Sequence, residues 1–136
     1  MTPLRRGFNA LYGRLLGLGV TLGSSYLLTV PGRKTGKPRT TPVTLIENDS
    51  GRWLVAPYGP VDWVRNVRVA GTVTLSRGRH REQRRAVEVG PEEAAPILRE
   101  YLRRVPVVRP YFDVRPESPL VDFVAEAHHH PVFRLE

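Results

Sequence analysis

Leu27-Leu28-Thr29-Val30-Pro31-Gly32-Arg33-Lys34-Thr35-Gly36-Lys37-Pro38-Arg39-Thr40-Thr41-Pro42-Val43-Thr44-Leu45 places two apolar, β-branched runs on either side of a loop held between two glycines. Pro31-Gly32 is a strong turn signal, so the stretch predicts one strand from Ser25 to Val30 and a second from Thr40 to Glu47. Asn48-Asp49-Ser50-Gly51 is a further turn, and Trp53-Leu54-Val55-Ala56 completes a hairpin with the strand before it. Downstream, Pro60 and Gly71 bracket a short helix over Val61 to Val69, since proline suits the first turn and glycine the exit. Thr72 to Arg77 and Arg84 to Val89 read as a second hairpin around the basic connection Arg77-Gly78-Arg79-His80-Arg81. Pro91-Glu92-Glu93 opens a helix that runs to about Arg104, acidic at its start and basic at its end, as the helix dipole prefers. A proline-punctuated stretch follows, and Pro131 to Leu135 predicts a last strand. Hairpin partners with helices between and around them predict a small, mostly antiparallel α+β barrel.

Upstream of the quoted stretch, Phe8, Leu11, Tyr12, Leu15 and Leu16 recur at helical spacing, which predicts a helix from Leu4 to about Val20. The apolar stretch from Leu11 to Leu28 follows Arg5 and Arg6, and the expectation is that it does not serve as a signal sequence. Arg14 interrupts it, Gly17, Gly19 and Gly23 dilute it, and no small-residue cleavage site follows. A cytoplasmic location is the expectation, with peripheral contact to an anionic membrane surface as an option for this basic amphipathic segment.

At 136 residues the chain suits one domain, with residues 1–24 as a helical lead-in and 25–136 as the barrel. Its 40% hydrophobic and 25% charged composition excludes a disordered chain and a membrane bundle. Without cysteine there are no disulfides, thiolate metal sites or cysteine nucleophiles. The net charge of +8 favours an anionic partner: a nucleic acid, a membrane face, or a phosphorylated or carboxylated small molecule.

Chemistry concentrates in the Pro31–Arg39 loop. Its glycines let backbone approach a ligand and expose amides, while Arg33, Lys34, Thr35 and Arg39 add charge-assisted hydrogen bonds, so the loop can hold a phosphate. It is not a nucleotide P-loop, because only three residues separate Gly32 from Gly36-Lys37 and Pro38 follows. A solvated basic hairpin loop is the alternative. Arg77, Arg79, Arg81, Arg84 and Arg85 raise a nucleic-acid-binding barrel as a second class, although no aromatic residue for base stacking interrupts them. Trp53 reads as core. His128-His129-His130, taken as part of a strand, would alternate faces and not converge on one ion, so no metal is expected. Asp62, Asp113, Asp122 and Glu126 read as surface partners of the many arginines.

Taken in order, Gly32-Arg33-Lys34-Thr35-Gly36-x-x-Arg39-x-x-Pro42, Trp53-Leu54-Val55-Ala56, Trp63-x-x-Asn66 and the closing Pro-Val-aromatic strand resemble the deazaflavin-dependent nitroreductase family. The resemblance runs from about Leu27 to Glu136. It implies a split β-barrel of the flavin-mononucleotide-binding type, reduced coenzyme F-420 as cofactor, and hydride transfer to an electron-poor quinone, enone or nitro compound. It further implies that Arg33, Lys34, Thr35, Gly36, Arg39 and Pro42 face the cofactor's charged portion and its neighbourhood. Ala56, Pro57 and Tyr58 would line the ring, with Trp63 and Asn66 beside it. Tyr111 is the candidate for binding the acceptor or delivering a proton, with a tyrosine that merely covers the barrel mouth as the alternative. Where relatives carry an aromatic-rich stretch, this chain has Val105-Pro106-Val107-Val108 before Arg109-Pro110-Tyr111-Phe112, so the acceptor can differ. A split barrel using flavin mononucleotide (FMN) or another anionic ligand is the runner-up, since a phosphate loop does not identify the attached ring.

Overall fold

The computed structural model describes residues 24–136, so the helix expected over Leu4 to Val20 lies outside the described residues. Six strands close a barrel: β1 (Ser25–Pro31), β2 (Pro38–Asn48), β3 (Gly51–Val55), β4 (Thr72–Arg77), β5 (His80–Glu88) and β6 (Val132–Leu135), in the spatial order β1-β2-β3-β6-β5-β4. All neighbours are antiparallel, and the β1–β4 pairing closes the ring. Three α-helices, α1 (Asp62–Ala70), α2 (Pro91–Arg104) and α3 (Leu120–Glu126), accompany the barrel within the described residues. This is the small antiparallel α+β barrel anticipated above.

Period-two side-chain alternation divides the apolar residues between two cores. One draws Leu28 and Val30 from β1, Leu45 from β2, Leu54 from β3, Leu75 from β4 and Phe133 from β6, together with Val64 and Val67 of α1. The other takes the alternate positions Ile46, Trp53 and Val55 and buries them against Leu98 and Leu102 of α2 and Phe123 of α3. Trp53 is therefore core, as expected; its indole N–H donates to Glu93 Oε2 at 3.0 Å. That bond lowers the Glu93 carboxyl below the usual carboxylate range; burial opposes it, and the nearby Arg134 adds to the lowering.

Two segments differ from the sequence reading. β5 begins at His80, four residues before the expected Arg84, because Gly78 at φ 58° and Arg79 alone make the turn and Arg77 pairs directly with His80. Ion pairs of Glu82 with Arg52 and Arg84 hold charged residues on this strand. The stretch left as proline-punctuated chain contains the 3-10 helix Pro106–Tyr111, α3, and the 3-10 turn Ala127–His129. Their prolines sit at helix starts or inside 3-10 geometry, which hides the helical period. The histidine run thus enters a 3-10 turn rather than a strand, and strand alternation does not govern it.

Candidate active site

The β1–β2 connection is tightly self-bonded. The Gly32 amide donates to Lys37 O at 2.8 Å and the Gly36 amide to Gly32 O at 2.8 Å, with Gly36 at φ 75°, where a side chain would be strained. Lys37 N–H donates to Thr35 Oγ1. These three amides are taken up within the connection, and the side chains of Arg33, Lys34 and Thr35 line the neighbouring cleft. Arg33 is tied to α1, because its amide and its Nη1 both donate to Asn66 Oδ1, at 3.0 and 2.9 Å, and its Nη2 lies 3.5 Å from Asp62. The i,i+3 spacing of Trp63 and Asn66 puts both on the helix face that meets this loop. Asn66 is buried, so its pairing with Arg33 also satisfies a polar group that burial would otherwise penalise.

Between loop and helix lies a cleft of about 670 Å³ lined by Gly32, Arg33, Lys34, Thr35, Arg39, Thr41, Val61, Asp62, Trp63 and Asn66. It adjoins an apolar slot of about 230 Å³, with Thr41, Val61 and Trp63 common to both. The slot is walled by Pro42, Val55, Pro57, Tyr58, Tyr101 and the valines Val105, Val107 and Val108. At its far end Pro57 and Tyr58 also border a polar vestibule of about 480 Å³ that includes Tyr111, Asp113, Glu126 and the three histidines. The Tyr58 and Tyr111 rings meet edge to face with centroids 4.7 Å apart. Burial, and then the proximity of Tyr111, push the Tyr58 phenol above its ordinary range.

Arg33, Lys34, Thr35, Arg39, Trp63 and Asn66 therefore converge on the cleft, and Pro42, Pro57, Tyr58 and Trp63 on the slot. Three candidates fall elsewhere. Ala56 is 1% exposed in the barrel core, because strand alternation turns it inward, and its amide bonds Pro131 O. Gly36 borders a separate groove with Thr29, Pro38 and Arg81. Tyr111 stands on the vestibule rather than in the slot.

The sequence reading missed the residues behind the vestibule. Glu126 and His130 are buried, not surface ion-pair material, and His130 Nε2 lies 2.9 Å from Glu126 Oε1. Burial works against ionisation of Glu126. Hydrogen bonds from His130 and the Asp113 amide, and the charges of His130 and His129, outweigh it and hold the carboxyl below its usual range. The i,i+4 spacing of Glu126 and His130 was the available signal.

A barrel with a cationic cleft running into an apolar slot has the shape and charge to hold an anionic ligand that carries a flat ring. The chain belongs to the F420H(2)-dependent quinone reductase family, whose model matches residues 4–117. It is thus an F-420-dependent reductase, with reduced F-420 as the family's cofactor. Among solved structures, an F420-H2 dependent reductase (FDR-A) is 24% identical with a TM-score of 0.56, covering 86% of this chain and 97% of that one. The heme storage protein HutZ of Vibrio cholerae is 13% identical with a TM-score of 0.58, covering 93% and 89%. A NimC/NimA family protein of Clostridium acetobutylicum is 12% identical with a TM-score of 0.55, covering 95% and 81%. At these identities the likeness is one of fold. A comparison with curated proteins finds no match.

The side chains present fit the family's cofactor. A phosphodiester with glutamate carboxylates calls for the cationic set Arg33, Lys34 and Arg39, and a flat heteroaromatic ring calls for a narrow apolar slot. No helix of the described residues is long and apolar enough to cross a membrane.

Proposed function

We propose that this chain reduces an electron-poor small molecule, a quinone first and enones or nitro compounds second, with electrons from reduced F-420. The observation that carries the reading is the continuity of the cationic cleft with the apolar slot through Thr41, Val61 and Trp63. Lys34, Arg39, Thr35 and Arg33 would hold the phosphate and acidic tail. Pro42, Pro57, Tyr58, Trp63 and the valines of the 105–108 stretch would hold the ring. When bound, reduced F-420 supplies a hydride; quinone reduction consumes that hydride and one proton and yields the hydroquinone.

The protein's part is orientation, exclusion of water and proton supply. Val105, Val107 and Val108 close the slot with side chains that carry no polar atoms. In the vestibule, the Tyr111 hydroxyl is the group we assign to the acceptor's oxygen, as hydrogen-bond donor or proton source.

The nucleic-acid alternative loses ground at the arginine-rich hairpin. Arg84 pairs with Glu82, Arg85 with Glu136, and no aromatic side chain lies along β5. A test mixes the protein with F-420, FMN and a labelled oligonucleotide. Tryptophan quenching and polarisation are followed at two salt concentrations, and benzoquinone, cyclohexenone and nitrobenzene derivatives are then offered to the reduced complex. Submicromolar F-420 binding without FMN binding, together with quinone turnover, is expected. Oligonucleotide affinity with a steep salt slope and no F-420 signal would reject the proposal.

A further inference from the structure

His130 touches both segments that carry the vestibule's tyrosines. Its Nδ1 lies 2.9 Å from the carbonyl of Pro57, the residue before Tyr58. Its ring stacks on Phe112, the residue after Tyr111, at 3.7 Å between centroids and 12° between planes. Its Nε2 meets Glu126 Oε1, and that same oxygen accepts the amide of Asp113, two residues after Tyr111, at 3.1 Å. His130 is 3% exposed and its backbone amide donates to Ala127 O. Buried carboxylate and imidazole groups are retained at a desolvation cost, and this pair spends its bonds on two backbone segments rather than on each other alone.

We infer that the buried His130–Glu126 pair is a positioning latch: it clamps the chain beside Tyr58 and beside Tyr111, holds the two rings edge to face at the junction of slot and vestibule, and so sets affinity for the electron acceptor. Tyr58 and Tyr111 are 56% and 61% exposed and have little packing of their own to fix them. Their 4.7 Å contact depends on the relative placement of two loops, and His130 is the group that spans both. The pair lies behind the tyrosines and away from the cationic cleft, so loosening it should leave the cofactor's charged tail undisturbed.

The acceptor part of this inference rests on the function proposed above; the latch itself does not. His130→Phe keeps the ring stack on Phe112 and removes both hydrogen bonds, while Glu126→Gln keeps an acceptor oxygen for Asp113 and His130 and removes the charge. The first readout uses protein free of cofactor: fluorotyrosine ¹⁹F NMR, with Tyr58 and Tyr111 assigned by their phenylalanine variants. In His130→Phe both resonances should collapse toward the shift of an exposed tyrosine, and in Glu126→Gln they should stay near wild type. The second readout is a split of constants. His130→Phe should raise the quinone KM about tenfold, in line with losing a hydrogen bond to a charged group, with a clearly smaller rise in the Kd for F-420, because Tyr58 is one of several side chains assigned to the ring and the cationic cleft is untouched. If His130→Phe does not fold, Glu126→Ala takes its place with the same expectations and Glu126→Gln as its rescue.

Unchanged tyrosine resonances would overturn the latch. Resonances that collapse while KM and Kd rise in parallel would overturn its link to the acceptor, since general loosening moves both. A wild-type protein that neither binds F-420 nor reduces a quinone would sink the proposed function, leaving the NMR result to judge the latch alone.

Discussion

Lys34 reaches into the cleft from the β1–β2 connection and Arg39 from the start of β2, both with exposed side chains, so their contribution is a matter of charge rather than of folding. Replacing both with alanine should leave the melting temperature near wild type and weaken F-420 binding. Each charge-assisted bond is worth ~1.5–3 kcal/mol, and the exposure of both side chains puts the loss toward the lower end. Quenching titrations of the double variant at low and high salt measure this; an unchanged Kd would mean that the phosphate site has been misplaced. Arg33 is a different residue despite its similar charge. Bound to Asn66 and close to Asp62, it braces the loop against α1. The loop's cationic content could be read from the chain, because charge and glycine are local properties. That Arg33 serves as the brace could not, since its partner is thirty-three residues away.

Among the elements, the hairpins and the helix Pro91–Arg104 were readable from alternation, turn residues and end charges. The segment from Pro106 to His130 was not. Its helices are short, begin at proline and carry few apolar repeats, so periodicity has nothing to report, and the buried role of Glu126 arises only when α3 packs on α2. Ala56 was assigned to the ring by position along a strand end, and the pleat turned it into the core. The Glu126 carboxyl has a testable acid dependence. Its pKa is depressed in the folded protein, so the stability it contributes is present above the unfolded value of ~4.3 and is lost as pH falls through the lower folded value. Denaturant titrations of wild type and Glu126→Gln should therefore converge in stability on acidification through that window and differ most near neutrality. Parallel curves across the window would contradict the assignment.

For the molecule as a whole, the barrel stands or falls with β6, which enters between β3 and β5 and carries Phe133 into the interior at 1% exposure. Phe133→Ala should cost about 3–5 kcal/mol in chemical denaturation, the usual range for emptying a buried phenylalanine site. The effect should extend to the cofactor cleft, because Trp63 packs against the same ring with centroids 6.3 Å apart. A loss below about 1 kcal/mol would mean that the interior can collapse around the gap. The pairing of β6 with two strands far earlier in the chain also bears on how the molecule is made. A nascent polypeptide that has emerged from the ribosome only as far as residue 131 holds β3 and β5 with bare edges facing each other, a template for pairing with a neighbouring chain. Vectorial synthesis thus leaves a stave missing until Val132–Leu135 clears the exit tunnel, and until then the unsealed cylinder is at risk of aggregation.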